Sequence, residues 1–340
     1  MILDASFSKN ELRGFCNASA SVGRDKYLVQ GAGGNTSIKS KTEMFVKASG
    51  KLLSSALKEE IFVKLNLAKV REKIACNDMD LASGAEGLRP SIETTLHALL
   101  PQKYVFHLHC VRTLSWVVQS DFDILVANRL TGVDWAYIPY VKPGLDLTKK
   151  IMQMLEDRTP PEVVLLGNHG LVVSGDSLDR VMFLIRDIGR RLDVGIRPHA
   201  QPDLTALSKL SFDTLYEPSE SNLAHQLALD DDNFLVSSGG SLYPDHVVFL
   251  GPGVATVNNR EELLNLLDSL PKEMPYPAVL AKGKGVLLPK EANTSVLQMV
   301  EALALVVERI PAEAKINYLN KQEELDLIFW EAESYRRSIK

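Results

Sequence analysis

The chain has 340 residues, 45% of them hydrophobic, and a formal net charge of −5; its length suits two domains or one large one. The acidic balance and scattered Lys and Arg argue against a nucleic-acid surface. Three sparse cysteines (Cys16, Cys76, Cys110) argue against a disulfide framework and fit a reducing cytosol, and no apolar run reaches the ~18 residues of a membrane span.

Residues 1–10 lack the basic start and apolar core of a signal peptide, so a cytoplasmic location is expected. Residues 8–22 read as a helix: Ser8 is a cap, Glu11 completes a capping box, and Leu12, Phe15 and Ser19 share a face. Residues 27–30 read as a short strand ending at Gly31-Ala32-Gly33-Gly34-Asn35-Thr36-Ser37. Glycines there can adopt positive φ, so the stretch is either an anion-binding nest of backbone amides or a plain hairpin turn. Met44-Phe45-Val46-Lys47-Ala48 is a strand closed by Ser49-Gly50. Lys47 and Lys51 either raise the local positive potential or are solvated. Residues 58–73 mix a helix with a short strand, and residues 76–87 form a polar loop of the kind that lines substrate sites.

Arg89-Pro90-Ser91-Ile92-Glu93 opens the next helix. Pro90 marks its start, and Ser91 either caps the first turn or stays free for a ligand. The helix covers residues 93–100 and stops at Pro101. Tyr104-Val105-Phe106 is aromatic and β-branched and suits a strand. Strand alternation then puts His107 and His109 on one side, able to share a metal, while Leu108 turns into the core. A His-x-His pair by itself is more often a core or surface pair. Cys110 faces away from His109 and packs. His97 shares a helical face with Glu93 and reads as a structural histidine beneath the site.

Residues 113–119 and 146–155 are predicted helices, and Pro160-Pro161 punctuates before the β-rich run 163–173. That run is broken by Gly167-Asn168-His169-Gly170, whose glycines let the backbone bring an imidazole close to another strand. A catalytic zinc keeps three protein ligands and an open position, and His169 is the third candidate. Asp176 caps an amphipathic helix over 177–192 with Val181, Leu184, Ile185, Ile188 and Leu192 on one face. Alternating β and α segments fit a sheet covered by helices on both faces.

The expected division is a head over 1–200, a connector over 201–232 and a small α/β domain over 233–340. Val247-Val248-Phe249-Leu250 is predicted as a strand. Val279-Leu280-Ala281 and Val286-Leu287-Leu288 are predicted strands around Gly283-Lys284-Gly285, with helices over 294–309 and 321–337. Residues 279–288 and their following helix echo residues 163–173 and theirs, with Lys284 where His169 stands. The appendage thus reads as a decayed half-copy.

Taken together and in this order, Gly33-Gly34-Asn35-Thr36-Ser37, Ala48-Ser49-Gly50, Pro90-Ser91-Ile92-Glu93, His107-Leu108-His109 and Asn168-His169-Gly170 resemble the class II aldolase/adducin family. That family includes zinc-dependent fuculose-phosphate and rhamnulose-phosphate aldolases, ribulose-phosphate epimerase, decarboxylases and the head of adducin. The motifs cover roughly the first half of the chain. The resemblance implies a three-layer α/β/α fold with a central β-sheet, plus a smaller C-terminal α/β domain. It implies His107, His109 and His169 as ligands of zinc or another divalent metal, and Glu93 as the catalytic acid–base. It implies Gly34, Asn35, Thr36, Ser49, Gly50 and Ser91 as the substrate-binding set, holding a phosphate or an equivalent anion.

The implied reaction is retro-aldol cleavage of a ketose phosphate or sugar-acid derivative through a zinc-stabilised enediolate. The implied assembly is a homo-oligomer, in this family often a tetramer, with neither nucleic acid nor membrane as partner. An epimerase or decarboxylase on the same scaffold is the alternative. An adducin-like assembly head would have lost the ligands that are all present here. For Glu93, a structural acid at a helix N-terminus is the competing reading. Two departures stand out. The position before Glu93, a hydroxyl residue in the sugar-phosphate aldolases, is Ile92, which removes a bond worth roughly 1.5–3 kcal/mol to a phosphate. The donor then carries another group, such as a carboxylate, or none. The family's aldehyde-side tyrosine has no clean match; Tyr137, Tyr140 and Lys142 are the nearby candidates.

Overall fold

The fold is described from a computed structural model covering residues 7–78, 87–269 and 278–338. The chain forms two compact units: Met1–Thr113 with Asp123–Leu192, and Leu114–Phe122 with Asp193–Lys340.

Unit 1 begins with α1 (Lys9–Gly23), whose start carries the expected Ser8/Glu11 capping box. The hairpin β1 (Asn35–Lys39) and β2 (Glu43–Lys47) is followed by β3 (Phe62–Asn66) and α2 (Leu67–Ala75). Next in the chain come α3 (Thr94–Leu99), β4 (Tyr104–Leu108), α4 (Val111–Val117), α5 (Phe122–Ala127) and β5 (Trp135–Ile138), with residues 114–122 of this stretch falling in unit 2. The unit closes with α6 (Leu145–Asp157), the hairpin β6 (Val163–Leu166) and β7 (Gly170–Gly175), and α7 (Leu178–Arg191). Its seven strands run β3-β2-β1-β4-β7-β6-β5. All neighbours are antiparallel except β5 and β6.

Strand alternation sorts the two faces. Phe106 and Tyr104 meet Phe15 of α1 on one face. Val105 lies on the other, in a core with Leu96 and Leu100 of the α3 segment and Leu147 and Ile151 of α6. The result is the expected three-layer α/β/α architecture. The alternation also assigns the site: His107, one residue from Phe106, belongs to the α3 face.

Three local expectations change. Residues 27–30 form no strand; Leu28 and Val29 N–H both donate to Asp25 O in a turn. Ser177, not Asp176, caps α7 through Arg180 N, while Asp176 accepts from Lys103 N. The loop expected over 76–87 lies mostly outside the described residues.

Unit 2 contains α8 (Leu204–Leu210), β8 (Tyr216–Pro218), α9 (Asn222–Leu229), α10 (Asp231–Ser238) and α11 (Pro244–Leu250). It continues with β9 (Ala255–Val257), α12 (Arg260–Ser269), the hairpin β10 (Val279–Ala281) and β11 (Gly285–Pro289), and α13 (Thr294–Val307). It ends in α14 (Lys321–Ile328) and α15 (Glu331–Ser338). The sheet order is β8-β11-β10-β9. Leu207 of α8, Leu263 of α12, and Tyr216, Val257, Val279 and Leu287 of the strands form its core.

The stretch 201–232, expected as a connector, therefore supplies β8, α8 and α9, because its apolar residues Leu207, Tyr216 and Leu227 are fully buried. The expected strand at 247–250 is the end of α11, which starts with Pro244 at its first turn and is buried along its whole length. A short apolar run buried on every side carries no period to separate strand from helix. Residues 114–122 join this unit through backbone bonds from Asn317 N to Val118 O and from Ser120 N to Lys315 O. Among the described residues, no helix is long and apolar enough to cross a membrane.

Candidate metal centre

His107 is in β4 and His109 just beyond its end, both on the α3 side, while Leu108 is fully buried in the opposite layer. His169 sits in the three-residue turn between β6 and β7. That turn needs special backbone: Asn168 has φ 49° and Gly170 φ 151°, and a Cβ on Gly170 would press into the Leu108 carbonyl. Glycine at 170 thus lets the turn lie against β4. The antiparallel pairing of His107 with Val172 fixes the rest. One nitrogen from each of the three imidazoles lies within 4.8 Å of the other two, and all three residues are buried. The ring centroids are 4.8, 5.1 and 5.5 Å apart.

Glu93, the residue before α3, faces this cluster. Its Oε2 lies 3.3 Å from His107 Nε2 and its Oε1 3.4 Å from His169 Nε2. Burial alone would raise the carboxyl, but the imidazoles of His107 and His169 and the bond from Asn35 outweigh it and hold it down to about 2. Burial, more than its neighbours, keeps His107 well below the usual imidazole range. Both ring nitrogens of His107 and Oε1 of Glu93 are buried without a hydrogen-bond partner. Buried polar atoms without a partner are costly, and a divalent cation shared with His109 and His169 would satisfy one nitrogen of His107. Three converging imidazoles beside a carboxylate fit zinc or a related divalent metal.

The orientation of Glu93 comes from a polar chain beneath it. Asn35 Nδ2 donates to Glu93 Oε2 at 2.9 Å, leaving its Oδ1 to accept from His97 Nε2. His97 Nδ1 in turn accepts from Ser37 Oγ at 2.7 Å. Burial lowers His97 to about 3, so it stays neutral. Lys39 Nζ donates to the His97 carbonyl and is itself lowered to about 7, chiefly by burial and then by Arg71. Asn35, Ser37 and Lys39 alternate along β1 and so share one face. That spacing was available in the sequence and is the signal by which this chain of contacts could have been read.

The remaining expected site residues divide. Thr36 lies on the opposite face of β1, where its hydroxyl meets Ser19 of α1 at 2.8 Å; the same alternation that faces Asn35 toward Glu93 turns Thr36 away. Gly34 has φ 59°, and a Cβ there would lie 2.9 Å from the His107 carbonyl, so its absent side chain admits β4. Ser49 and Gly50 are brought beside residues 89–91 by the Ala48–Pro90 bridge and the bond from Ser49 N to Arg89 O. Ser91 is buried and its Oγ accepts from Glu93 N at 3.3 Å. Lys47 is not solvated: at 2% exposure its Nζ donates to Ala32 O and Lys51 O, each at 2.7 Å. One ammonium thereby ties the 31–34 segment to the 49–51 segment.

The profile of the family described as Class II Aldolase and Adducin N-terminal domain matches residues 13–192, more than half the chain. The chain belongs to this family. It is 33% identical over 175 residues to the uncharacterized oxidoreductase YuxG of Bacillus subtilis. That match covers 46% of this chain and only 25% of YuxG. It is 24% identical over 162 residues to the L-fuculose phosphate aldolase of Methanocaldococcus jannaschii, covering 45% of this chain and 78% of that one. Among solved structures it is similar to the N-terminal class II aldolase domain of a conserved protein from Thermoplasma acidophilum. There the TM-score is 0.47 at 24% identity, over 56% of this chain and 96% of that one. Within the family match lie the three histidines, Glu93 and the segments 31–37, 48–50 and 89–91.

Proposed function

We propose that unit 1 is a metal-dependent lyase that cleaves a carbon–carbon bond of a ketose, ketose phosphate or sugar-acid derivative in retro-aldol fashion. The observation that carries this reading is the convergence of three buried imidazoles on one buried carboxylate held well below the usual range. His107, His109 and His169 hold the metal, zinc being the best fit to three nitrogens and an open position. When bound, such a cation supplies Lewis-acid polarisation of a substrate carbonyl.

Glu93 carries the proton. It is ionised in the resting protein, and Asn35 and His97 hold it in one orientation, so it is placed to accept a proton at Oε1, the oxygen without a hydrogen bond. Gly50 and the Ser49 and Ser91 hydroxyls form the anion side of the site, with Lys47 holding the adjacent segments in place. Asn35 supports this side through Glu93, because its side-chain amide is already engaged at both ends. Ile92 favours a second reading, proton abstraction without aldol cleavage, as in an epimerase or decarboxylase, since the phosphate contact at that position is missing. We place the protein in the cytoplasm as a homo-oligomer acting on a small carbohydrate.

The deciding experiment has two parts. Protein purified without chelator is analysed for metal, then incubated with ketose phosphates and sugar acids while aldehyde and carbon dioxide are followed. Bound divalent metal and released aldehyde support the lyase. Carbon dioxide or an epimerised product supports the second reading. Absence of divalent metal together with absence of turnover overturns both.

A further inference from the structure

The sheet of unit 2 repeats the arrangement of the metal-bearing half of unit 1. In unit 1, the adjacent strands β4-β7-β6-β5 are joined by two antiparallel pairings and then a parallel one. In unit 2, β8-β11-β10-β9 are joined by two antiparallel pairings and then a parallel one. Chain order agrees as well: a first strand, helices, a second strand, one helix, a hairpin of the last two strands, then a long helix. A short helix precedes each first strand, and it packs on the helix before the hairpin: α3 on α6, and α8 on α12.

The hairpin turns fix the alignment residue by residue. They close at Leu166–Gly170 and at Ala281–Gly285, with three residues between. The middle residue is left-handed in each, Asn168 at φ 49° and Gly283 at φ 68°. The closing glycines have φ 151° and 136°. The same bond braces each turn: His169 N to Leu166 O at 3.2 Å, and Lys284 N to Ala281 O at 2.9 Å. Placing Gly285 on Gly170 puts Leu287 on Val172, and their strand partners are Pro218 and His107. The positions of His107, His109 and His169 are then Pro218, Glu220 and Lys284. Asp203, the residue capping α8, stands where Glu93 precedes α3.

We infer that unit 2 is a second copy of the metal-bearing half of unit 1, with its ligand positions replaced and its backbone retained. Proline offers no side-chain donor atom, and a protonated lysine has no lone pair, so the copy holds no metal. It also lacks counterparts of β1, β2 and β3: among the described residues β8 pairs with β11 alone. Pro218 suits that open edge, since it presents no N–H to a stray strand. Among the described residues, the three-histidine cluster of unit 1 is then the one candidate metal centre, and unit 2 is a scaffold able to present three ligands in the same geometry.

The test is cobalt(II) content per chain, measured on the full-length protein after removal of excess metal. Pro218→His, Glu220→His and Lys284→His together are expected to add one equivalent over the unsubstituted chain. A control with Lys282→His in place of Lys284→His is expected to add none, because that imidazole lies two residues out of register. A folded triple variant that gains no cobalt, or a control that gains as much, overturns the inference. Zero cobalt in the unsubstituted chain counts against the metal reading of unit 1, whereas the gain reports on unit 2 alone. Should the triple variant not fold, a crystal structure of the unsubstituted chain decides. Strands β8 to β11 superposing on β4 to β7 in the stated order and register support the inference, and any other order overturns it.

Discussion

Replacing Asn35 with alanine isolates the polar chain that orients Glu93. The amide is buried and bonded at both ends, to Glu93 Oε2 at 2.9 Å and to His97 Nε2. Its removal leaves a buried carboxylate oxygen without a donor and a buried imidazole N–H without an acceptor. Each such orphan costs about 1–3 kcal/mol, the charged one toward the upper end. Asn35→Ala should therefore destabilise the protein by about 3–6 kcal/mol, a large part of a typical 5–15 kcal/mol total. Urea unfolding at pH 7 measures it. A double-mutant cycle with His97→Ala then reports the shared bond, with an expected coupling of about 0.5–3 kcal/mol. Loss below about 0.5 kcal/mol, the range of ordinary surface changes, or strict additivity of the two substitutions, would refute the proposed relay.

Four further outcomes are expected. Glu93→Gln keeps the three imidazoles and should retain metal while turnover falls roughly 10²–10⁴-fold; unchanged turnover in the metal-loaded variant would remove Glu93 from the chemistry. Lys47→Met frees the Ala32 and Lys51 carbonyls from a shared ammonium. It should destabilise the fold by roughly 1.5–3 kcal/mol for each charge-assisted bond lost, as read by urea unfolding; unchanged stability argues against its role as a tie. Gly170→Ala forces a side chain into the Leu108 carbonyl at φ 151° and should lower metal content with the fold kept, as read by circular dichroism beside metal analysis.

The fourth concerns pH. Burial lowers His246 to about 4 in the folded chain from an ordinary value of 6.5. The unfolded state thus binds more protons between those values. This group costs nothing above pH 6.5, and stability falls as pH drops toward 4, by about 1.4 kcal/mol per unit. His246→Gln should flatten that part of the stability–pH curve, and an identical curve would contradict the assignment.

Much of the three-histidine cluster was legible in the sequence. Period-two alternation put His107 and His109 on one side, and a glycine turn marked His169, because metal ligation needs a few residue types at spacings set by local geometry. The capping box at Ser8 and Glu11 was equally local. What the sequence left open depended on which face met what. Alternation along β1 separates Asn35 from Thr36, but only the packing of α1 and α3 on opposite layers shows which of them reaches Glu93. Lys47 looks like any strand-end lysine until the 31–34 segment and the turn just after β2 close over its ammonium. The apolar run at 247–250 is compatible with strand or helix, because burial on every side removes the period that would separate them; the helix that contains it starts at Pro244. The echo between 163–173 and 279–288 was visible as a pattern, yet strand order and register come from long-range pairing, which no local stretch of residues encodes.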